Sequence, residues 1–144
     1  MATPSHRAWQ QRKSQTAHLF TSSKIFTCQI YKNLYNIITR MKPLNFIGSS
    51  LDDLRNFPDE ARRAAGFELY AVQCGLEPSD WKPMPTIGRG VKEIRIHVLG
   101  EWRIIYVAKL EDAVYVLHSF QKKSRKTSQQ NIELARKRYK QIGG

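Results

Sequence analysis

Lys92-Glu93-Ile94-Arg95-Ile96-His97-Val98-Leu99-Gly100-Glu101-Trp102-Arg103-Ile104-Ile105-Tyr106-Val107 is the stretch that decides the fold. Ile94, Ile96 and Val98 alternate with Glu93, Arg95 and His97; after Gly100, Trp102, Ile104 and Tyr106 alternate with Arg103, Ile105 and Val107. A period of two marks strands, and the glycine marks the turn between them. A third apolar run, Ala113 to Phe120, follows a turn around Glu111-Asp112. Strands joined by such short turns pair antiparallel, since a parallel pair needs a crossover of about a dozen residues. A turn centred on Leu99 sets Arg95 opposite Arg103, whereas a two-residue turn at Leu99-Gly100 would put Arg103 opposite Ile96. Like charges face to face destabilise a sheet. The two arginines therefore either frame a bound anion or solvate the outer face.

Upstream, Leu44-Asn45-Phe46-Ile47 reads as a short strand stopped by Gly48. Ser49 and Ser50 offer an N-cap, with Asp52 and Asp53 in the first turn of a brief helix. Pro58 ends that helix and opens a second, whose Ala61, Ala65, Leu69, Val72 and Leu76 form one apolar stripe closed by Gly75. Glu77 to Gly90, with Pro78, Pro83, Pro85, Gly88 and Gly90, reads as a loop. Downstream, Ile132, Ala135, Tyr139 and Ile142 give a C-terminal helix, with Arg136, Lys137, Arg138 and Lys140 clustered at its end, where the dipole favours cations. The helical hairpin has to cover one face of the sheet, because neither buries its apolar side alone. The expected class is α+β.

The whole chain has 144 residues, with 24 Lys and Arg against 12 Asp and Glu, a formal charge of +12. That excess favours a polyanionic or acidic partner: RNA, DNA, the ribosome or an acidic protein. No apolar run approaches the ~18–20 residues of a membrane span. Cys28 and Cys74 match no disulfide or zinc spacing, which suits a reducing, cytoplasmic setting. The charge is uneven. Residues 1–40 hold six basic residues and no acid, and residues 41–144 hold 18 basic and all 12 acidic. Residues 1–40 are therefore expected to form a separate basic extension. Met1 to Ser23 reads as disordered, and Ile30, Leu34, Ile37, Ile38 and Met41 allow a short helix. A transit peptide, a basic arm for nucleic acid, and translation starting at Met41 all fit it.

The strongest local signal is His118-Ser119-Phe120-Gln121-Lys122-Lys123-Ser124-Arg125-Lys126-Thr127, which closes the third strand with four cations in five positions. Such a run is either a solvated loop or a site on a rigid strand end. As a site, Phe120 would stack an unstacked base while Lys122, Lys123, Arg125 and Lys126 hold phosphates.

With these motifs, residues 41–144 resemble the HigB-type branch of the RelE/ParE toxin superfamily, including its phage-derived members. The likeness runs through Met41-Lys42-Pro43-Leu44, Asp80-Trp81-Lys82-Pro83-Met84-Pro85, Lys92-Glu93-Ile94-Arg95-Ile96 and Trp102-Arg103-Ile104-Ile105-Tyr106-Val107. It ends in Val116-Leu117-His118-Ser119-Phe120-Gln121-Lys122-Lys123. The aromatic-Arg-apolar-apolar-Tyr strand is widespread in the superfamily, and the His-x-Phe-x-Lys-Lys run marks this branch. Where the branch often has Pro after Lys126-Thr127, this chain has Ser128, which can cap the next helix.

The resemblance implies a RelE-like microbial RNase fold, a curled antiparallel sheet with the helical hairpin on one face and a C-terminal helix. It implies the toxin of a type II toxin–antitoxin system, a ribosome-dependent mRNA endonuclease. Its partners would be mRNA on the ribosome and a helix-turn-helix, HigA-like antitoxin, the toxin alone being a monomer. Arg103 and Lys123 are the implied transition-state clamps, and Arg95 and Lys122 position phosphate. Phe120 stacks a base, Arg125 and Lys126 add phosphate contacts, and His118 titrates in the range of an acid/base. Neither metal nor other cofactor is expected. The competing readings are a ParE-like gyrase inhibitor without enzymatic activity and a basic module that binds nucleic acid.

Overall fold

The structure is a computed structural model that describes residues 27–36, 40–109 and 112–143. The chain divides into two units after Arg40. In the first, residues 27–36 form a helix (α1) on which Ile30, Tyr31, Leu34 and Tyr35 are exposed. The expectation of disorder for Met1 to Ser23, together with Ile37 and Ile38, lies outside the described residues. No described helix is long and apolar enough to cross a membrane.

In the second unit the element order is β1 (Leu44–Phe46), α2 (Ser50–Arg55), α3 (Asp59–Gln73), β2 (Trp81–Pro83), β3 (Val91–Ile96), β4 (Trp102–Ala108), β5 (Val114–Gln121) and α4 (Gln129–Gln141). The class is α+β. The five strands lie in the order β1-β5-β4-β3-β2. β3, β4 and β5 pair antiparallel as their short connections require, with the turn at Leu99 setting Arg95 opposite Arg103. Leu99 takes a positive φ of 52° to make it.

Two expectations need correcting. The sheet is mixed, because β1 lies parallel to β5; the short-turn argument never reached β1, which joins the sheet from beyond two helices. The stretch Glu77–Gly90 is also more than a loop, since Trp81–Pro83 pairs with β3. Pro83 is tolerated because β2 is the outer edge, where a missing N–H breaks no ladder bond. The turn at Glu111-Asp112 falls partly outside the described residues, Glu111 being among those not described.

The two faces of the sheet bury separate cores. Ala61, Ala65, Leu69 and Val72 of α3 pack with Leu54 and Phe57 on Ile94, Ile96, Trp102, Ile104, Tyr106, Val114 and Val116. On the opposite face Ala135 of α4 packs with Met84, Ile87, Val91, Ile105, Val107 and Leu117. Burying each large side chain contributes ~1.5–3 kcal/mol. Leu76 departs from the expected stripe and is 65% exposed, because α3 stops before it. Gly75 (φ 81°) ends the helix in a Schellman motif, with Leu76 N–H donating to Ala71 O at 2.9 Å and Gly75 N–H to Val72 O at 3.0 Å.

The serine caps divide as well. Ser128 caps α4 by accepting from Asn131 N–H at 3.3 Å. Ser49 stands at the N-cap of α2 without a capping bond. Its hydroxyl instead donates to Asp53 at 3.1 Å and accepts from Arg138 at 2.8 Å.

Candidate functional site

The site is built where β5 ends. Simple alternation from Val114 and Val116 would carry His118 and Phe120 onto the α3 face. A β-bulge prevents this: Tyr106 pairs with Val116 but Ile105 with His118, so Leu117 is an extra residue. Leu117 and His118 therefore both face α4, and Phe120 falls opposite Arg103 on the same side. The bulge is held by side chains from elsewhere in the chain. Arg138 Nη1 donates to Leu117 O at 2.8 Å, and Ser50 Oγ donates to Val116 O at 2.9 Å. Arg138 belongs to the basic cluster at the end of α4; it is 7% exposed, because it stands three residues from Ala135 on the inward side of α4.

Beyond the bulge the chain leaves the sheet, and Phe120, Lys122, Lys123, Lys126, Ser128 and Asn131 are among the residues lining a cleft of about 220 Å³. Its base is tied to the residue that leads into β4, since Lys122 N–H donates to Glu101 O at 2.7 Å. Ser128 and Asn131 belong to the N-terminal end of α4, which has no acid in its first turn. Fixed positive charge and a favourable dipole end thus meet beside an aromatic ring. Arg125 is exposed on the same loop outside the cleft wall.

The other candidates lie differently. Arg103 is 3% exposed. Its Nη1 donates to Trp102 O at 2.8 Å, its Nη2 donates to Glu101 at 2.8 Å, and its Nε lies 3.6 Å from Glu93. Arg95 pairs with Asp80 at 2.6 Å. The facing arginines are therefore neutralised by the protein's own carboxylates. His97 joins the two pairs, with Nδ1 2.7 Å from Glu101 and Nε2 2.8 Å from Asp80. These bonds raise the His97 pKa, Glu101 contributing most, and the His97 bond lowers both carboxylates.

His118 is 7% exposed and stacks behind Phe120, ring centroids 5.1 Å apart. Burial lowers its pKa, an effect partly offset by its bond to Asn131. Nε2 lies 2.9 Å from Asn131 Oδ1, and Nδ1 lies 3.5 Å from both Arg138 and Asp53. A neutral ring protonated on Nε2 satisfies Asn131 and leaves Nδ1 to accept from Arg138. Phe120, Lys122, Lys123 and Lys126 thus come together, with His118 behind them, while Arg95 and Arg103 sit within ion pairs on the adjoining strands. The sequence reading missed Asp80, Glu93, Glu101 and Asn131. Glu93 and Glu101 had a signal, being acids on or beside the strands that carry the arginines, whereas Asp80 lies in the stretch read as a loop.

No curated protein matches the chain. A family profile described as "Phage derived protein Gp49-like (DUF891)" matches residues 52–140, from within α2 to within α4 and across the whole cleft. That is more than half of the chain, and the chain belongs to this phage-derived Gp49-like family, a RelE/HigB-like family of toxins in toxin–antitoxin systems.

Proposed function

We propose that this protein is a toxin that cleaves mRNA on the ribosome, in the cytoplasm, and is neutralised by a helix-turn-helix antitoxin of the HigA type. The observation that carries the reading is the cleft at the end of β5, which Lys122, Lys123 and Lys126 line together with Phe120. A polyanion with unstacked bases fits that combination, since lysines hold phosphates and an aromatic face takes a base.

RNA brings its own nucleophile. In this reading the 2′-oxygen attacks the adjacent phosphorus, its proton leaves, and the P–O5′ bond breaks. The products are a 2′,3′-cyclic phosphate and a 5′-hydroxyl that has gained a proton. The protein must align the three atoms and stabilise the charge on the phosphoryl oxygens. Lys123 and Arg103 take the stabilising role, and Lys122, Arg95, Arg125 and Lys126 hold flanking phosphates. For Arg103 this requires RNA to displace the exposed Glu101 carboxylate from its Nη2. His118 backs the stacking wall; a proton role for it requires Nε2 to leave Asn131, which His118→Asn tests by removing the titration.

A gyrase inhibitor or other non-enzymatic binder is the second reading, favoured by the burial and internal pairing of Arg103. The deciding experiment adds the full chain to a translating extract and maps 5′ ends on a reporter mRNA. Naked mRNA and an Arg103→Ala/Lys123→Ala variant serve as controls, and the chemistry of the new ends tests the 2′-oxygen mechanism. New 5′-hydroxyl ends within translated codons, absent from both controls, support the nuclease, whereas 5′-phosphate ends refute this mechanism. Intact mRNA with translation arrested or unaffected refutes it.

A further inference from the structure

Among the described residues Glu93 is the one fully buried acid, and the mechanism above does not use it. It stands on β3, on the sheet face that carries Arg95 and Arg103. Groups from three separate segments converge on its carboxylate. Lys82 Nζ of the edge strand lies at 3.4 Å, Arg103 Nε of β4 at 3.6 Å, and Thr127 Oγ1 of the cleft wall at 3.5 Å. None of these is a short hydrogen bond. Glu93 Oε1 and Arg103 Nε are both buried without a hydrogen-bond partner.

Stability alone gives little reason for an acid here. Replacing a buried ion pair by packed apolar residues of similar volume is often neutral or stabilising. The position supplies something an apolar residue would not, a fixed charge that both Arg103 and the cleft wall face. The guanidinium is then constrained on three sides: Trp102 O at Nη1, Glu101 at Nη2 and Glu93 at Nε. When RNA displaces the exposed Glu101, the buried Glu93 remains to keep the guanidinium from following it.

We propose that Glu93 is a positioning residue. Resting on the nuclease reading, it holds Arg103 and the Thr127 side of the cleft in one frame, so that the arginine and the lysines act on the same phosphate. It touches no RNA and works through Arg103.

The test uses the full chain with Glu93→Gln, which keeps the shape and removes the charge, and with Glu93→Asp, which restores charge on a shorter stem. One readout needs no RNA: solvent exchange of the Arg103 Nε–H in nitrogen-15 spectra, identified by its loss in Arg103→Lys. It exchanges slowly in the wild type and at least about tenfold faster in folded Glu93→Gln. The second is single-turnover cleavage on programmed ribosomes. There Glu93→Gln lowers the saturating rate about 100-fold with half-saturation within about twofold, and Glu93→Asp recovers part of the loss.

Unchanged Arg103 exchange in a folded Glu93→Gln overturns the proposal, as does an effect confined to half-saturation. Should Glu93→Gln not fold, Thr127→Val removes the cleft-side contact alone. A lower saturating rate then supports the proposal and an unchanged one overturns it. Wild-type protein that leaves translated mRNA whole defeats the nuclease reading instead, and the exchange arm then decides whether Glu93 holds Arg103.

Discussion

Gly48→Ala should cost far more stability than Gly75→Ala, and the difference measures how firmly Arg138 holds the bulge in β5. Both glycines have positive φ, 60° and 81°. A side chain in that region costs ~1–2 kcal/mol at either site. Around Gly75 a new Cβ meets nothing within 4 Å, whereas at Gly48 it would lie 2.8 Å from Arg138 Nε. A flexible surface arginine would move aside. Arg138 is buried, and its two terminal nitrogens are bonded at 2.8 Å to Leu117 O and Ser49 Oγ. Displacing it forfeits at least one charge-assisted hydrogen bond, worth ~1.5–3 kcal/mol, and leaves the Leu117 carbonyl without its donor. Gly75→Ala is therefore expected to lose ~1–2 kcal/mol and Gly48→Ala ~2.5–5 kcal/mol. At roughly 4–8 °C per kcal/mol for a domain near this size, their melting temperatures should differ by about 6 °C or more. Circular dichroism melts of the two variants in the full chain read this directly. Equal losses would refute the claim that Arg138 is immobile and that the bulge depends on it.

The cleft lysines act on phosphate, so Lys123→Ala should weaken binding to a non-cleavable single-stranded RNA and reduce the slope of log K against log salt by ~0.7; an unchanged slope removes Lys123 from the interface. Phe120→Ala should cost ~1–3 kcal/mol in the same titration with the salt slope preserved. The two buffered histidines should titrate on opposite sides of 6.5, His97 above and His118 below, in proton NMR. Their effects on stability are opposite in sign. His97 binds its proton more tightly when folded, so its contribution is present below 6.5 and fades as pH rises through its folded pKa. His118 is held neutral, so its contribution is present above 6.5 and is lost as pH falls through that value toward its folded pKa. His97→Gln should therefore steepen the loss of stability on acidification, as measured by urea denaturation, and a shallower loss contradicts this assignment.

The β3–β4 hairpin was legible because alternation and a single glycine fix its elements, but they left two registers open, and the pairing of Arg95 with Arg103 came from the structure. The bulge was not legible. Val116 and Leu117 are both apolar, so nothing in the sequence says that two successive residues give up alternation, and the facing of His118 and Phe120 depends on that. β1 shows a strand pattern but nothing that reveals its direction, which is settled by packing across two helices. The burial of Arg138 was not read although a signal existed. This arginine sits three residues from Ala135 on the apolar side of its helix, and a cation there is more informative than the basic cluster around it. The lysines of the cleft were legible as a local run. The pairing of Arg95 and Arg103 with Asp80, Glu93 and Glu101 was not, because it joins residues across strands and a loop.

This pairing separates two kinds of cation that the net charge of +12 lumps together. The sheet arginines have carboxylates within 2.6 to 3.6 Å. No ion pair among the described residues includes Lys122, Lys123, Arg125 or Lys126. The unpaired group provides the field that a polyanion meets first, and its strength falls with salt. The paired group is already oriented and gains a phosphate only by giving up Glu101 or Asp80, so its contribution depends on geometry more than on charge. Two consequences follow for the proposed reaction. Capture should be governed by the loop lysines and be salt-sensitive, while the chemical step should be governed by Arg103 and its carboxylate frame and be nearly salt-independent. Measuring half-saturation and saturating rate separately across a salt series distinguishes this division from a site in which all the cations act alike. In that alternative, both parameters would weaken together.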